Sequence, residues 1–360
     1  MFSIKHSMNW TAGITAGLLI TAAYGCAAPK HAVQAYHPVW PAPPAEARVR
    51  HVMDIQTPDD LHKPSAFEGL GRLITGGGKQ VMLRPNSVTV VGEDLLCVTD
   101  QEWQGVHLMQ MRASGSKFVS RATDDLHFVS PIGVAPFGDV IAVSDSALQR
   151  VFLITHEGEP VGQIEMPGGF NRPTGLAYDK EHGELYVVDT LANEVCVFRE
   201  DKTLARRFGT QGIAPTQFNY PTHIFVDHTG RVFVTDSMNF RVQAFGRKGN
   251  YLFEIGSQGD ASGFLAVPKG VGVNSLGHIY IVDSYFSNVQ VFDENGRFLL
   301  SVGGPGDGIG QFQVPAGLFI DRDNRVYICD SYNRRVQVLE YLAKANHGDV
   351  NHENDSTSDR

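Results

Sequence analysis

The sequence predicts an all-β chain folded as a six-bladed β-propeller with four-stranded antiparallel blades, and three observations predict it. An Asp closes an apolar run at positions 100, 145, 189, 236, 283 and 330, a recurrence of 44 to 47 residues that marks a repeat architecture. Between one Asp and the next lie four short β-forming runs punctuated by Gly, Pro, Asn and Asp; around Asp236 they read THIFVD, RVFVTD, RVQAFG and YLFEIG, with no sustained 3.6-residue period. The stretch VTDSMNFRVQAF (234–245) returns as ICDSYNRRVQVL (328–339), so the units share their wording as well as their spacing. Six units of four strands make a propeller.

Composition agrees. Of 360 residues only 19% are charged and 38 are Gly, which favours a globular β protein over a disordered or helical one. The net charge of −9, with residues 68–340 also acidic, argues against a nucleic-acid partner.

Residues 1–25 read as a secretion signal: Lys5, an apolar run too short for a membrane span, then Ala23-Tyr24-Gly25-Cys26. That tetrapeptide resembles a bacterial lipobox in which Cys26 becomes the lipidated first residue, although Ala23 and Tyr24 depart from its usual residues. The expectation is export across the inner membrane and a lipid anchor in the outer membrane, with the body in the periplasm or at the cell surface. Residues 26–65 form a Pro/Ala-rich tether and lead-in, 66–342 the propeller, and 343–360 a polar, disordered tail. Cys97, Cys196 and Cys329 sit inside apolar runs and read as small buried hydrophobes.

Ring closure is also expected from the text. The last unit stops after RVQVLEY without the outer strand that the others carry, and GLGRLITGGG (69–78) resembles that missing strand. Residues 72–75 are therefore expected to complete the last blade and remove its open edge.

Strand parity gathers two sets of loops on one face: the entrances to the six inner strands and the turns between second and third strands. The entrances begin at Pro85, Pro131, Pro173, Pro221, Pro268 and Pro315, and five of them carry Gly or Ser in the third place, suiting close packing around an axis. The sixth carries His223. With Thr222, Lys269, Arg84, Arg172 and Tyr220 it outlines a candidate ligand-binding mouth for an anion; a buried His223 with a satisfied hydrogen bond is the alternative. On the same face, Trp103, Leu191, Met238, Phe240, Tyr285, Phe286 and Tyr332 occupy the turns after the Asp residues, where they either make a partner-binding patch or fold inward. Asp100, Asp145, Asp189, Asp236, Asp283 and Asp330 are expected to shape those turns, with Arg150, Arg241 and Arg335 bridging to carboxylates.

The phrases DSMNFRVQAF and DSYNRRVQVL, each preceded by a Pro-x-Gly-apolar stretch such as PTGLAYD or PAGLFID, resemble the NHL repeat over residues 69–340. The pattern is good around Asp236 and Asp330 and weak around Asp100, Asp145 and Asp283. The signal, tether and propeller are similar in layout to bacterial NHL-repeat lipoproteins. That resemblance implies a monomeric, non-catalytic envelope scaffold that presents a propeller face to a protein partner or small ligand, without a cofactor. The alternative is a propeller hydrolase or lyase: related propellers include a zinc-dependent amidating lyase and calcium-dependent lactonases. The entrances offer one imidazole where a zinc site of that kind needs three, and Asp179, Asp227, Asn274 and Asp321 fall in turns rather than in an ion cage. No metal site is expected.

Overall fold

The computed structural model describes residues 37–62 and 80–342. Six antiparallel sheets follow one another along the chain and build the six blades. Their inner strands are Pro85–Val91, Pro131–Phe137, Pro173–Asp179, Pro221–Val226, Pro268–Val273 and Pro315–Ile320, and each blade then runs outward through its second, third and outer strands.

The core is divided among the seams between blades. Six apolar clusters form, one at each pair of adjacent blades, including the pair that joins the last blade to the first. Alternation within a strand explains this. In the second strand of blade 1, Leu95 and Cys97 pack toward blade 2, whereas Leu96 and Val98 pack toward blade 6. Because both faces of a blade are covered, the strands read as continuous apolar runs rather than alternating ones. Cys97, Cys196 and Cys329 lie free and buried within these seams, and burial pushes each thiol well above its usual range.

Closure is achieved by a different segment from the one expected. The outer strand of blade 6 is Val49–Ile55, antiparallel to the last strand Arg335–Tyr341, in the pairing Val49 with Tyr341 through Ile55 with Val336. This places the closing strand inside the segment read as tether and lead-in, so the propeller begins before residue 66. Residues 72–75 lie outside the described residues. The physical reason is that Val49 and Ile55 are buried and Asp54 ion-pairs with Arg335 (2.9 Å), supplying what Glu254 supplies to Arg241 (2.7 Å) from the outer strand of blade 4. A further two-residue strand, Val39–Trp40, pairs with Val49 and Arg50 and covers the outer edge of this blade.

The turn geometry is strained in a regular way. The fourth residue after each motif Asp (Gln104, Gln149, Asn193, Phe240, Ser287 and Arg334) has φ between 51° and 58°, and none is glycine. Val314, just before Pro315, has φ of 50°, a costly value for a β-branched residue, and its side chain is exposed. Val314→Gly is therefore expected to stabilise the chain by about 1 kcal/mol, since it relieves strain without removing packing. Urea denaturation with an unchanged slope checks this, and a destabilised variant would contradict it.

Candidate functional site

The six motif Asp residues are all buried and act as hubs that hold the turns and entrances of the loop face. Asp145 shows the simplest form: it accepts backbone N–H bonds from Val129 (2.7 Å) and Ser130 (3.0 Å) of the entrance and from Ala147 (3.1 Å) and Leu148 (3.0 Å) of the turn. Asp236 and Asp330 add side chains. Asp330 Oδ2 accepts from Asn333 (2.8 Å), Arg335 Nε (2.8 Å) and Gln337 (2.9 Å), and Asp236 Oδ2 does the same with Asn239, Arg241 and Gln243. The other nitrogens of Arg335 bond Asp54 and the carbonyls of Gly308 and Gln311, so this guanidinium, 4% exposed, is fully engaged. Arg150 departs from the expectation: it is exposed at the start of its strand, and in blade 1 the same register position is Gly105, while His107, at the place of Gln243 and Gln337, meets Asp100 at 3.3 Å.

The Ser or Thr of the repeated phrase has a separate task that the sequence did not disclose. At every seam a hydroxyl donates to a backbone carbonyl of the next blade. Thr99 bonds Ile132, Ser144 bonds Thr174, Thr190 bonds Pro221 and Ser237 bonds Pro268. Ser284 then bonds Pro315, and Ser331 bonds Pro85 at 2.7 Å, which ties the last blade to the first. A Ser or Thr on either side of the motif Asp is the signal that would have revealed this stitching.

Inside the ring, the inner strands line a cavity of about 80 Å³ on the axis, with His223 among its walls. Gly at the third place is sterically required: a Cβ on Gly317 would meet the Asn86 carbonyl at 2.4 Å, and one on Gly175 would meet His223 Cα at 2.9 Å. The glycine on blade 3 thus leaves room for the histidine on blade 4. Two residues further along the same strand, Phe225 meets Phe319 of blade 6 with ring centroids 6.4 Å apart, narrowing the channel on the side away from the loop face.

His223 Nδ1 contacts Thr222 Oγ1 at 3.0 Å, while Nε2 is shielded from solvent and has no hydrogen-bond partner. Burial, and then the charge of Lys269, push the imidazole down to about 3, so it is neutral. Lys269 is itself lowered by burial and by the charge of Arg172. Arg172 donates to Tyr220 Oη and lies 5.6 Å over its ring. The structure therefore brings together His223, Thr222, Lys269, Arg172 and Tyr220. Arg84 stands apart from them, stacked over Tyr332 at 5.6 Å and 3.7 Å from Glu102.

The apolar turn residues divide. Tyr285 (72%), Met238 (55%), Tyr332 (55%), Leu191 (48%) and Trp103 (44%) are exposed, whereas Phe240 and Phe286 are partly buried and contribute less surface. Of the fifteen exposed large apolar side chains among the described residues, eleven lie in loops of this one face. Among the described residues no three His, Cys, Asp or Glu side chains are grouped to hold a metal ion.

Comparison with known proteins supports the fold. A family described as a 6-bladed beta-propeller matches residues 271–347. No curated protein matches the chain in sequence. Among solved structures, an auxiliary nutrient binding protein from Bacteroides thetaiotaomicron VPI-5482 is similar at 13% identity and a TM-score of 0.56, over 73% of this chain and 70% of that one. A gluconolactonase from Xanthomonas campestris is similar at 16% identity and a TM-score of 0.55, over 72% and 87%. Virginiamycin B lyase from Staphylococcus aureus is similar at 14% identity and a TM-score of 0.52, over 72% and 95%. Binding proteins and enzymes thus share this architecture, and at such identities the likeness concerns the fold.

Proposed function

We propose that this chain is a non-catalytic binding scaffold of the NHL-repeat type, held at the bacterial envelope through Cys26, which presents its loop face to a protein partner carrying a complementary apolar surface. The observation that carries the reading is the concentration of exposed apolar side chains on that face. Tyr, Trp and Met are residues enriched at protein interfaces, and an apolar patch of this kind on a soluble domain marks a contact surface. The polar groups of the repeated motif point the same way, because Asp236, Asp330, Arg241 and Arg335 are occupied with one another and with backbone groups. The similarity to a nutrient-binding propeller is compatible with a binding role.

The test uses the full chain in its native cell, with a photo-reactive residue placed at Tyr285, Met238 or Tyr332 and, as controls, at Leu276 and Leu299, which are exposed away from the loop face. The expected result is one adduct shared by the three loop-face positions, absent from the controls and recovered in the membrane fraction. With the purified partner, Tyr285→Ser is expected to weaken binding about tenfold without changing the melting temperature. Equal labelling from both sets of positions, or unchanged affinity in a Tyr285→Ser/Tyr332→Ser chain, sinks the reading.

A further inference from the structure

A ladder of hydroxyls beside His223 fixes which of its nitrogens carries the proton. Ser237 Oγ donates to the Pro268 carbonyl (3.2 Å), as Thr190, Ser284 and Ser331 do at their own seams. A hydroxyl has one proton to give. With that of Ser237 committed to Pro268, the 2.7 Å contact between Ser237 Oγ and Thr222 Oγ1 is donated by Thr222. Thr222 then has none left for the histidine, so the 3.0 Å contact is donated by His223 Nδ1–H. A neutral imidazole carries a single N–H, and Nε2 is therefore a bare acceptor, shielded from water, on a ring that lines the axial cavity.

The surroundings of that acceptor are cationic. Arg172 and Lys269 have no carboxylate partner among the described residues, and each acts on its neighbour's charge, Arg172 on Lys269 and Lys269 on His223. A metal ion or an ammonium group would be repelled by them. Leaving a buried acceptor unsatisfied is unfavourable, so a ligand that donates one hydrogen bond to Nε2 removes that penalty. The axial cavity of about 80 Å³ is lined by His223 but not by Lys269 or Arg172, so only the end of a ligand that reaches His223 enters it.

We propose that the channel mouth binds a small hydroxycarboxylate, or the hydroxycarboxylate end of a larger molecule, with its hydroxyl donating to His223 Nε2 and its carboxylate held by Lys269 and Arg172. The inference is independent of the partner-face reading, because it concerns the axis and not the exposed turns.

The test uses the full chain with ¹⁵N-labelled histidine and glycolate as the probe, against acetate, which lacks the hydroxyl, and glycolamide, which lacks the charge. Without probe, His223 is expected to show an unprotonated Nε2 and a protonated Nδ1. Glycolate is expected to shift the Nε2 resonance and raise the melting temperature, with acetate and glycolamide each about tenfold weaker. Lys269→Met is expected to weaken glycolate binding about tenfold while leaving the unliganded chain at least as stable, since it removes a half-buried charge without a partner. A protonated Nε2 in the free chain, glycolate binding no tighter than acetate, or full glycolate affinity in Lys269→Met overturns the proposal.

Discussion

A chain lacking residues 37–57 is expected to have no cooperative unfolding transition, because those residues include the outer strand of the blade on which the ring closes. The deletion strips the ladder from Arg335–Tyr341 and leaves that strand as an open edge. It removes Val49 and Ile55, 0% and 1% exposed, each worth about 1.5–3 kcal/mol of burial, from seams that the blades on either side need. It also takes away Asp54, leaving the Arg335 guanidinium with one carboxylate where it had two, at a cost on the scale of about 3–5 kcal/mol for breaking a buried pair. A domain stable by about 5–15 kcal/mol does not survive losses of this kind together. Near-UV circular dichroism and urea titration read the outcome. A deletion chain that melted cooperatively within a few degrees of the parent would show that closure does not depend on this strand.

That strand was also what the sequence concealed. The six-fold repeat was legible because each interior strand is buried on both faces and reads as a solid apolar run, as in LLCVTD or ELYVVD. An outer strand has one face toward solvent, and VRHVMDI buries only Val49, His51 and Ile55 fully, so its charges and its histidine mask it. GLGRLITGGG matched the wording of other outer strands and sat directly before the first inner strand, where the repeat period pointed. What distinguished the two was the carboxylate at Asp54, which completes the shell of Arg335 as Glu254 completes that of Arg241. Pairing a buried arginine with its second carboxylate is a three-dimensional requirement that periodicity does not express.

The candidate site was legible to the same degree. Parity placed the entrances and the Asp turns on one face, and the single break in the run of small third-place residues pointed to His223. The grouping of Lys269 and Arg172 with it was expected, while Arg84 was drawn off by Tyr332 and Glu102, both specific to the seam between blades 6 and 1. The proton order in the Ser237, Thr222 and His223 ladder was out of reach, since it depends on a carbonyl from the following blade. The sequence leaves Phe240 and Phe286 open between a partner patch and an inward fold, and the structure makes both partly buried beside the exposed Met238 and Tyr285.

Asp330→Ala is expected to cost about 3–5 kcal/mol, against a smaller loss for Asp145→Ala, and the difference isolates what the aspartate does in the full motif. At Asp145 the carboxylate satisfies backbone N–H groups alone, and its removal strands no buried cation. At Asp330 the carboxylate also holds Arg335, whose carbonyl contacts to Gly308 and Gln311 reach into the loop from the preceding blade. Removing it leaves a guanidinium shielded from water with Asp54 as its remaining counter-charge, and frees Asn333 and Gln337 from the atom that fixed both. Replacing Arg335 by Met in the same chain removes the stranded cation, so Asp330→Ala/Arg335→Met is expected to lose less than the sum of the single changes. Urea denaturation of the four chains, with equal slopes, measures the coupling. An additive cycle would mean that the buried ion pair contributes nothing beyond its separate hydrogen bonds, and that the repeated Asp, Asn, Arg and Gln act as independent turn formers. A coupled cycle identifies them as one unit, present in full in blades 4 and 6 and reduced elsewhere to the aspartate and the backbone groups it gathers, with His107 added in blade 1.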